Sequence, residues 1–139
     1  MSYLVDTNVF SELRKGGRGH PSVRRWFEGI AGAQIHTSVV VIGEIRRGIE
    51  RARRRDPAFA AALERWLADV TMLLEDRIHP VSRAIAEEWG RLAAPRQLPI
   101  IDTLLAATAI VHGLTLVTRN IKDIAHSGAS YLNPFEPIH

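Results

Sequence analysis

Short apolar runs that alternate with helix-like segments constrain the fold of this chain more than any other feature of its sequence. The runs lie at about residues 2–5, 34–37, 78–81 and 114–118, and Tyr131-Leu132 is a shorter fifth candidate. Each consecutive pair is separated by enough residues for a crossover helix. Strands that alternate with helices are typical of a parallel sheet whose two faces are both covered. We therefore predict an α/β fold.

Polar caps, prolines and glycines place the helices between these strands. Ser38 stands where it can cap a long helix, and Asp56-Pro57 is an N-cap followed by proline at the first helical position. Gly113 is typical of the residue that ends a helix. The predicted helices cover about residues 9–15, 21–29, 39–55, 57–70, 83–94 and 103–112.

Length and composition limit the classes of protein to which the chain can belong. Its 139 residues fit a single domain over 1–139, and 46% hydrophobic with 24% charged residues is typical of a globular protein. The absence of cysteine excludes disulfides and thiolate metal sites. No apolar run is long enough to span a membrane and no basic leader opens the chain, so we predict a cytoplasmic protein.

Positive charge is concentrated in one part of the sequence. The formal net charge is +3, and six arginines lie between Arg46 and Arg55. Arginine binds phosphate through two parallel hydrogen bonds, which makes this stretch a candidate for nucleic-acid or partner contact. A solvated helix face explains it equally well, because Glu44, Glu50 and Asp56 are interleaved with the arginines.

Two aspartates stand where parallel strands are expected to end. Asp6 follows the first strand directly, and Asp102 precedes the most apolar helix. The functional crevice of an open parallel sheet lies beyond the carboxyl ends of its strands, so both carboxylates are candidates for a site there. Each also has a plainer explanation, since aspartate is a common N-cap.

Glu44 interrupts an apolar stretch of the long third helix. A buried carboxylate without a partner is costly, and a metal ion is one partner that offsets the cost. The alternatives are an ion pair with Arg46 or Arg47, or exposure at the edge of the helix.

The last polar group follows the fourth strand and contains Thr118, Asn120 and Asp123. Ordinary turn chemistry also explains it. Taken together, however, the acids favour a hard cation, Mg²⁺ or Mn²⁺, which binds phosphate and activates water. The histidines have no zinc spacing, and no nucleophile elbow, P-loop or dinucleotide fingerprint is present.

Four ordered motifs resemble the PIN-domain family, and more narrowly the VapC and FitB toxins of bacterial type II toxin–antitoxin pairs. The resemblance extends over essentially the whole chain. The motifs are VDTNV at 5–9, VIGEIRRG at 41–48, IDTLLAATA at 101–109 and HGLTLVTRN at 112–120.

This resemblance implies a three-layer α/β/α domain with a mostly parallel sheet of four or five strands. It implies a Mg²⁺-dependent endoribonuclease that hydrolyses RNA phosphodiester bonds. It also implies a homodimer neutralised by a small cognate antitoxin, with operator DNA reached only through that antitoxin. The alternative is a catalytically weak PIN-fold subunit that acts mainly as partner of a DNA-binding antitoxin.

Carried over by position, the resemblance assigns the metal-binding acids as Asp6, Glu44 and Asp102, with the two aspartates as direct ligands. Asn120 occupies the position of a fourth acid in many members, and we include it among the catalytic residues. Asp123 is a candidate to replace the missing charge. The resemblance implies that nearby side chains orient the carboxylates or bound water, and these are Thr7, Asn8 and Thr118.

Overall fold

A computed structural model describes residues 1–137, in which a five-stranded sheet is surrounded by six α-helices. The strands are β1 (Tyr3–Val5), β2 (Ile35–Ser38), β3 (Ile78–His79), β4 (Thr115–Val117) and β5 (Tyr131–Leu132). The helices are α1 (Thr7–Arg14), α2 (Pro21–Glu28), α3 (Val39–Arg53), α4 (Pro57–Leu74), α5 (Arg83–Ala93) and α6 (Ile100–His112). Short 3₁₀ turns lie at Gly16–Arg18, Gly32–Gln34 and Glu75–Arg77.

The sheet has the strand order β3-β2-β1-β4-β5, so the first strand of the chain is the central one. All four strand pairings in the described part of the chain are parallel. In the register of β1 and β4, Val5 lies opposite Val117. The predicted α/β fold with a mostly parallel sheet is therefore confirmed, with the fifth strand present.

Both faces of the sheet are buried. Leu4 and Val5 are consecutive and fully buried, and so are Leu116 and Val117 on the neighbouring strand. Consecutive residues of a strand point to opposite faces, so helices must cover both sides. Helices α1 to α4 pack on one another in one group, and α5 packs on α6 in a second. This arrangement agrees with the three-layer architecture.

Several element boundaries differ from the prediction, and helix α4 continues to Leu74 rather than ending at about residue 70. Helix α6 begins at Ile100 rather than Thr103, and its N-cap is Pro99, which contributes no side-chain hydrogen bond. Strand β3 ends at His79 rather than at residue 81. Pro80 follows directly, and its missing N–H prevents the strand pairing from continuing through it.

The chain leaves β1 and β4 at the same edge of the sheet, and this positions the candidate site. The backbone N–H of Asp6 donates to the carbonyl of Val117 at 3.0 Å. The backbone N–H of Thr118 donates to the carbonyl of Leu132 at 3.0 Å. Asp6 and Thr118, the first residues after β1 and β4, thus continue the backbone hydrogen-bond pattern of the sheet. Within residues 1–137, no helix has the length and apolar character needed to cross a bilayer.

Candidate metal centre

Asp6 is the most buried acid of the site, with 4% of its surface exposed. The Thr118 hydroxyl donates to Asp6 Oδ2 at 2.7 Å, and the backbone N–H of Thr7 donates to Oδ1 at 2.7 Å. Burial raises the pKa of Asp6 against the effect of these two hydrogen bonds, and nearby Glu44 raises it further. Asp6 is also the N-cap of α1, so the capping interpretation applies, and its role as a metal ligand stays a prediction.

Thr118 directly follows β4, and its hydroxyl takes part in two hydrogen bonds. It donates to Asp6 and accepts a hydrogen bond from the backbone N–H of Asn120 at 3.1 Å. The accepted bond leaves the hydroxyl proton directed at the carboxylate. Thr118 therefore fixes the orientation of the Asp6 side chain.

Asn8 connects the start of α1 to the end of β4. Its amide oxygen accepts from the backbone N–H of Arg119 at 3.2 Å. Its amide nitrogen lies 3.4 Å from both Asp6 Oδ2 and Thr118 Oγ1, which are long, weak contacts. The sequence motifs did not indicate this contact to Arg119, because it joins residues far apart in the chain.

Glu44 contacts the first turn of α1 and no arginine. The Thr7 hydroxyl donates to Glu44 Oε1 at 2.7 Å. Arg46 instead forms an ion pair with Glu50 at 3.2 Å and another with Glu64 on α4. No ion pair in residues 1–137 joins Glu44 to Arg46 or Arg47, so that alternative does not apply in this structure.

Asp102 lies in the first turn of α6, inside the helix rather than before it. It therefore does not cap α6, although a carboxylate in the first turn still interacts favourably with the helix dipole. Burial raises the pKa of Asp102 to about 6, and the negative charges of Asp6, Asp123 and Glu44 contribute to this shift. The side chain of Asn120 opposes the shift by stabilising the charged carboxylate.

The structure thus brings the three predicted acids, Asp6, Glu44 and Asp102, together with Asp123 into one region, which we call the carboxylate region. Their negative charges repel one another there, and Asn120 lies beside them. Within residues 1–137, however, no three acidic or histidine side chains converge into a ready-made group of metal ligands. The donors are all carboxylates and the charge is of one sign, which fits a hard divalent cation. These residues therefore fit such a cation in their negative charge and in the type of their donor atoms.

The arginine-rich stretch separates into two sets of side chains. Arg46 and Arg53 are bound by Glu50 and Glu64 in a network that joins α3 to α4. The other four arginines have no acidic partner among the ion pairs of residues 1–137, and they are Arg47, Arg51, Arg54 and Arg55. Part of the stretch is therefore structural.

Three histidines that are far apart in the sequence stack on one another, away from the site. His36 Nδ1 lies 2.9 Å from His79 Nε2, and the rings of His79 and His112 are 4.1 Å apart. His112 ends α6, whereas Asp102 lies in its first turn, which separates them by roughly 15 Å along the helix. The stack therefore does not contribute to the carboxylate region.

Replacing Asp102 with asparagine is expected to stabilise the metal-free protein above about pH 7. In the folded wild type the pKa near 6 lies above the ordinary 3.8, so a charged Asp102 opposes folding. This penalty disappears as the pH falls from about 6 to about 4, where the carboxyl is protonated in both states. The expected gain in unfolding free energy is about 1 kcal/mol at pH 8, reduced by solvent screening of a half-buried group.

Urea unfolding in EDTA at several pH values measures this difference. Asp69→Asn on the exposed side of α4 is the matched control, since it removes the same charge far from the site. An Asp102→Asn variant no more stable than wild type at pH 8 would show that burial and the nearby carboxylates do not penalise the charged form of Asp102.

Comparison with known proteins gives the site a family context. The PIN domain family matches this chain over residues 3–126. A protein of Mycobacterium tuberculosis named Ribonuclease VapC4 is 34% identical over 124 residues, which are 84% of this chain and 85% of that protein.

Two solved structures share the fold. A structure of FitAcB from Neisseria gonorrhoeae superposes with a TM-score of 0.87 at 24% identity, over 96% of this chain and 99% of that one. A toxin–antitoxin complex from Klebsiella pneumoniae contains a chain that is 27% identical, with a TM-score of 0.66 and coverage of 99% and 100%. Since the family match includes β1, β4 and every acid of the site, this chain belongs to the PIN-domain family.

Proposed function

We propose that this protein is a metal-dependent endoribonuclease and the toxin of a toxin–antitoxin pair. The observation that carries the proposal is the crowding of Asp6, Glu44, Asp102 and Asp123 at one edge of a PIN-domain sheet, with no cationic side chain paired to them in residues 1–137. The name of the Mycobacterium tuberculosis relative, a ribonuclease, supports RNA as the substrate.

Asp6 and Asp102 are the residues that would hold a Mg²⁺ or Mn²⁺ ion, with Glu44 beside them. When bound, such an ion supplies a Lewis acid for the scissile phosphate and lowers the pKa of water. No three of these side chains form a ready-made ligand set within residues 1–137. Burial raises the pKa of Asp102, and the negative charges of Asp6, Asp123 and Glu44 raise it further, so a cation that neutralises those charges is favoured here.

The neighbouring side chains prepare the acids for this role. The Thr118 hydroxyl stabilises the charged form of Asp6 and fixes its orientation. The Thr7 hydroxyl holds Glu44 at the entrance to α1, where it can orient water or the ion. The Asn120 side chain favours the charged form of Asp102. Asp123 adds the negative charge that Asn120 does not carry.

Purified protein without antitoxin is expected to cleave RNA with Mg²⁺ or Mn²⁺ and to lose this activity in EDTA. Asp6→Asn and Asp102→Asn should each reduce the cleavage rate by about a hundredfold or more, because each removes a charged ligand. The measurement is the rate of cleavage of total RNA, with 5′ ends mapped. Asp69→Asn is the control and should retain full activity.

Two results would each contradict this proposal. One is cleavage that continues unchanged in EDTA. The other is an Asp6→Asn variant that cleaves as fast as the Asp69→Asn control. Circular dichroism of each variant establishes that the fold is intact.

Thr118→Val is expected to reduce activity about 10- to 100-fold, since it removes the hydroxyl that orients Asp6. Thr115→Val is the matched control because it makes the same change at the start of β4, at the opposite end of the strand from Thr118. Cleavage rate at saturating and limiting Mg²⁺ is the measurement. Equal activity of the two variants would remove Thr118 from the site.

An antitoxin is the proposed protein partner. The chain from Klebsiella pneumoniae belongs to a toxin–antitoxin complex, which supports a similar assembly here. A groove beside the site offers a surface for it, beginning at Thr7 and Glu44 and passing Gly48. The rest of the lining is mostly apolar and includes Ile45, Ile49, Leu63 and Trp66, with Ser11, Arg14 and Arg55 also contributing. A partner segment in this groove would lie next to the carboxylates.

Filling the groove is expected to weaken inhibition by the cognate antitoxin by about tenfold or more. A Cβ added at Gly48 meets no atom within 4 Å, so Gly48→Leu introduces no clash at its Cβ, and circular dichroism checks the fold. Gly90→Leu on α5 is the matched control, since its Cβ is equally free and it lies outside the groove. The antitoxin concentration that halves RNA cleavage is the measurement. Equal inhibition of both variants would exclude this groove as the docking surface.

The second candidate is a catalytically weak subunit that mainly completes a DNA-binding antitoxin complex. Asn120, an amide where many relatives carry an acid, is the observation that favours it. Growth arrest on expression of the wild type but not of Asp6→Asn would exclude this candidate. Dimer formation, contact with operator DNA through the antitoxin, and a cytoplasmic location stay predictions.

A further inference from the structure

Arg119 stands at the rim of the carboxylate region and makes an unusual contact. It follows Thr118 directly, and its backbone N–H is bound by Asn8. Its guanidinium lies over the ring of Phe135, with the central carbon 4.0 Å from the ring centroid. Arg119 is exposed and has no acidic partner among the ion pairs of residues 1–137.

Phe135 is held in place by several contacts that leave one side of its ring for Arg119. The backbone N–H of Phe135 donates to Asn133 Oδ1 at 3.0 Å, and the intervening Pro134 is buried. The imidazole of His20 meets the ring nearly edge-on at 5.1 Å between centroids. The preceding strand β5 pairs with β4, so the turn at 133–135 is anchored beside the site.

A guanidinium stacked in this way has a defined chemical capacity. Stacking occupies the flat face of the group, while its N–H donors point outward in the plane. Those donors match the geometry of phosphate, to which arginine binds through two parallel hydrogen bonds. The rigid partner also reduces the side-chain entropy lost when a ligand binds. Arg119 is therefore preorganised for an anion that reaches the rim of the site.

The charge of the site explains why such a residue is needed. Asp6, Glu44 and Asp123 are close enough to Asp102 for their negative charges to raise its pKa, in addition to the larger effect of burial. An RNA phosphate that approaches them is repelled by the same negative charges. A fixed cation at the rim lowers this barrier by binding a phosphate of the same strand.

We propose that Arg119, positioned by its stacking on Phe135, binds an RNA phosphate next to the scissile one. Arg119 is then a substrate-binding residue and Phe135 a positioning residue. The inference rests on the proposed ribonuclease function and adds the turn at 133–135 to the substrate-binding surface. In a competing role, Arg119 would bind an acidic group on a protein partner, and the test distinguishes the two roles.

The experiment measures cleavage of a fluorogenic single-stranded oligoribonucleotide by the full-length protein with Mg²⁺, without antitoxin, over a range of salt concentrations. Arg119→Ala should raise KM about tenfold and leave kcat within about twofold of wild type. The slope of log kcat/KM against log salt should become shallower by about 0.7, the value for one phosphate contact on a single strand.

Two further variants separate charge from stacking. Phe135→Leu should raise KM by about threefold with the salt slope unchanged, because the charge remains and only its orientation is lost. Arg83→Ala is the matched control, since Arg83 is 93% exposed on α5 and pairs only with Glu87 among the described residues. It should keep the wild-type KM.

Three outcomes would overturn the inference, and they differ from a failure of the proposed function. One is an Arg119→Ala variant with the KM and salt slope of Arg83→Ala. Another is an Arg119→Ala variant that keeps the wild-type KM and salt slope but is inhibited less in a parallel titration with the cognate antitoxin, which would assign Arg119 to the protein partner. The third is a loss of kcat at unchanged KM. If the wild type itself cleaves no RNA, the proposed function fails as well.

Discussion

The structure of the site depends on one hydrogen bond, from the Thr118 hydroxyl to the carboxylate of Asp6. It joins the ends of β1 and β4, the two strands whose parallel register brings these residues together. An isolated carboxylate that is 4% exposed would be costly, and this bond with the one from Thr7 lowers that cost. The remaining contacts follow from it. Asn8 approaches both partners, and Asn120 donates to the same hydroxyl.

The sequence was sufficient to predict the sheet and the edge at which the site forms. Apolar runs separated by helix-length segments allow little besides a parallel sheet, and the end of a strand is where Asp6 and Thr118 stand. The start of α6 was predicted too late, at Thr103, because aspartate before an apolar helix has the pattern of an N-cap. Backbone geometry at Pro99 begins the helix without a polar side chain, which residue type alone did not indicate.

Partner choice among charged side chains was the part that the sequence left open. Arg46 and Arg47 both stand close to Glu44 in the sequence, yet Arg46 pairs with Glu50 and with Glu64 on the neighbouring helix. The packing of α3 on α4 decides this, because it brings Glu64 within reach while Thr7 satisfies Glu44 from another side. The stacking of Arg119 on Phe135 depends on tertiary structure in the same way, since 16 positions separate the two residues in sequence. Such contacts follow from how elements pack, and local patterns carry no signal for them.

The amide at position 120 is consistent with the electrostatics of the acids around it. The pKa of Asp102 already rises to about 6 under burial and three nearby carboxylates. A fourth acid in place of Asn120 would raise it further and leave more of Asp102 protonated near neutral pH, where it would be a poorer ligand for a cation. The amide acts in the opposite direction, and Asp123 already supplies a negative charge from the same loop. A site with Asn120 therefore keeps Asp102 charged more readily than one with a further carboxylate there, while losing one possible ligand.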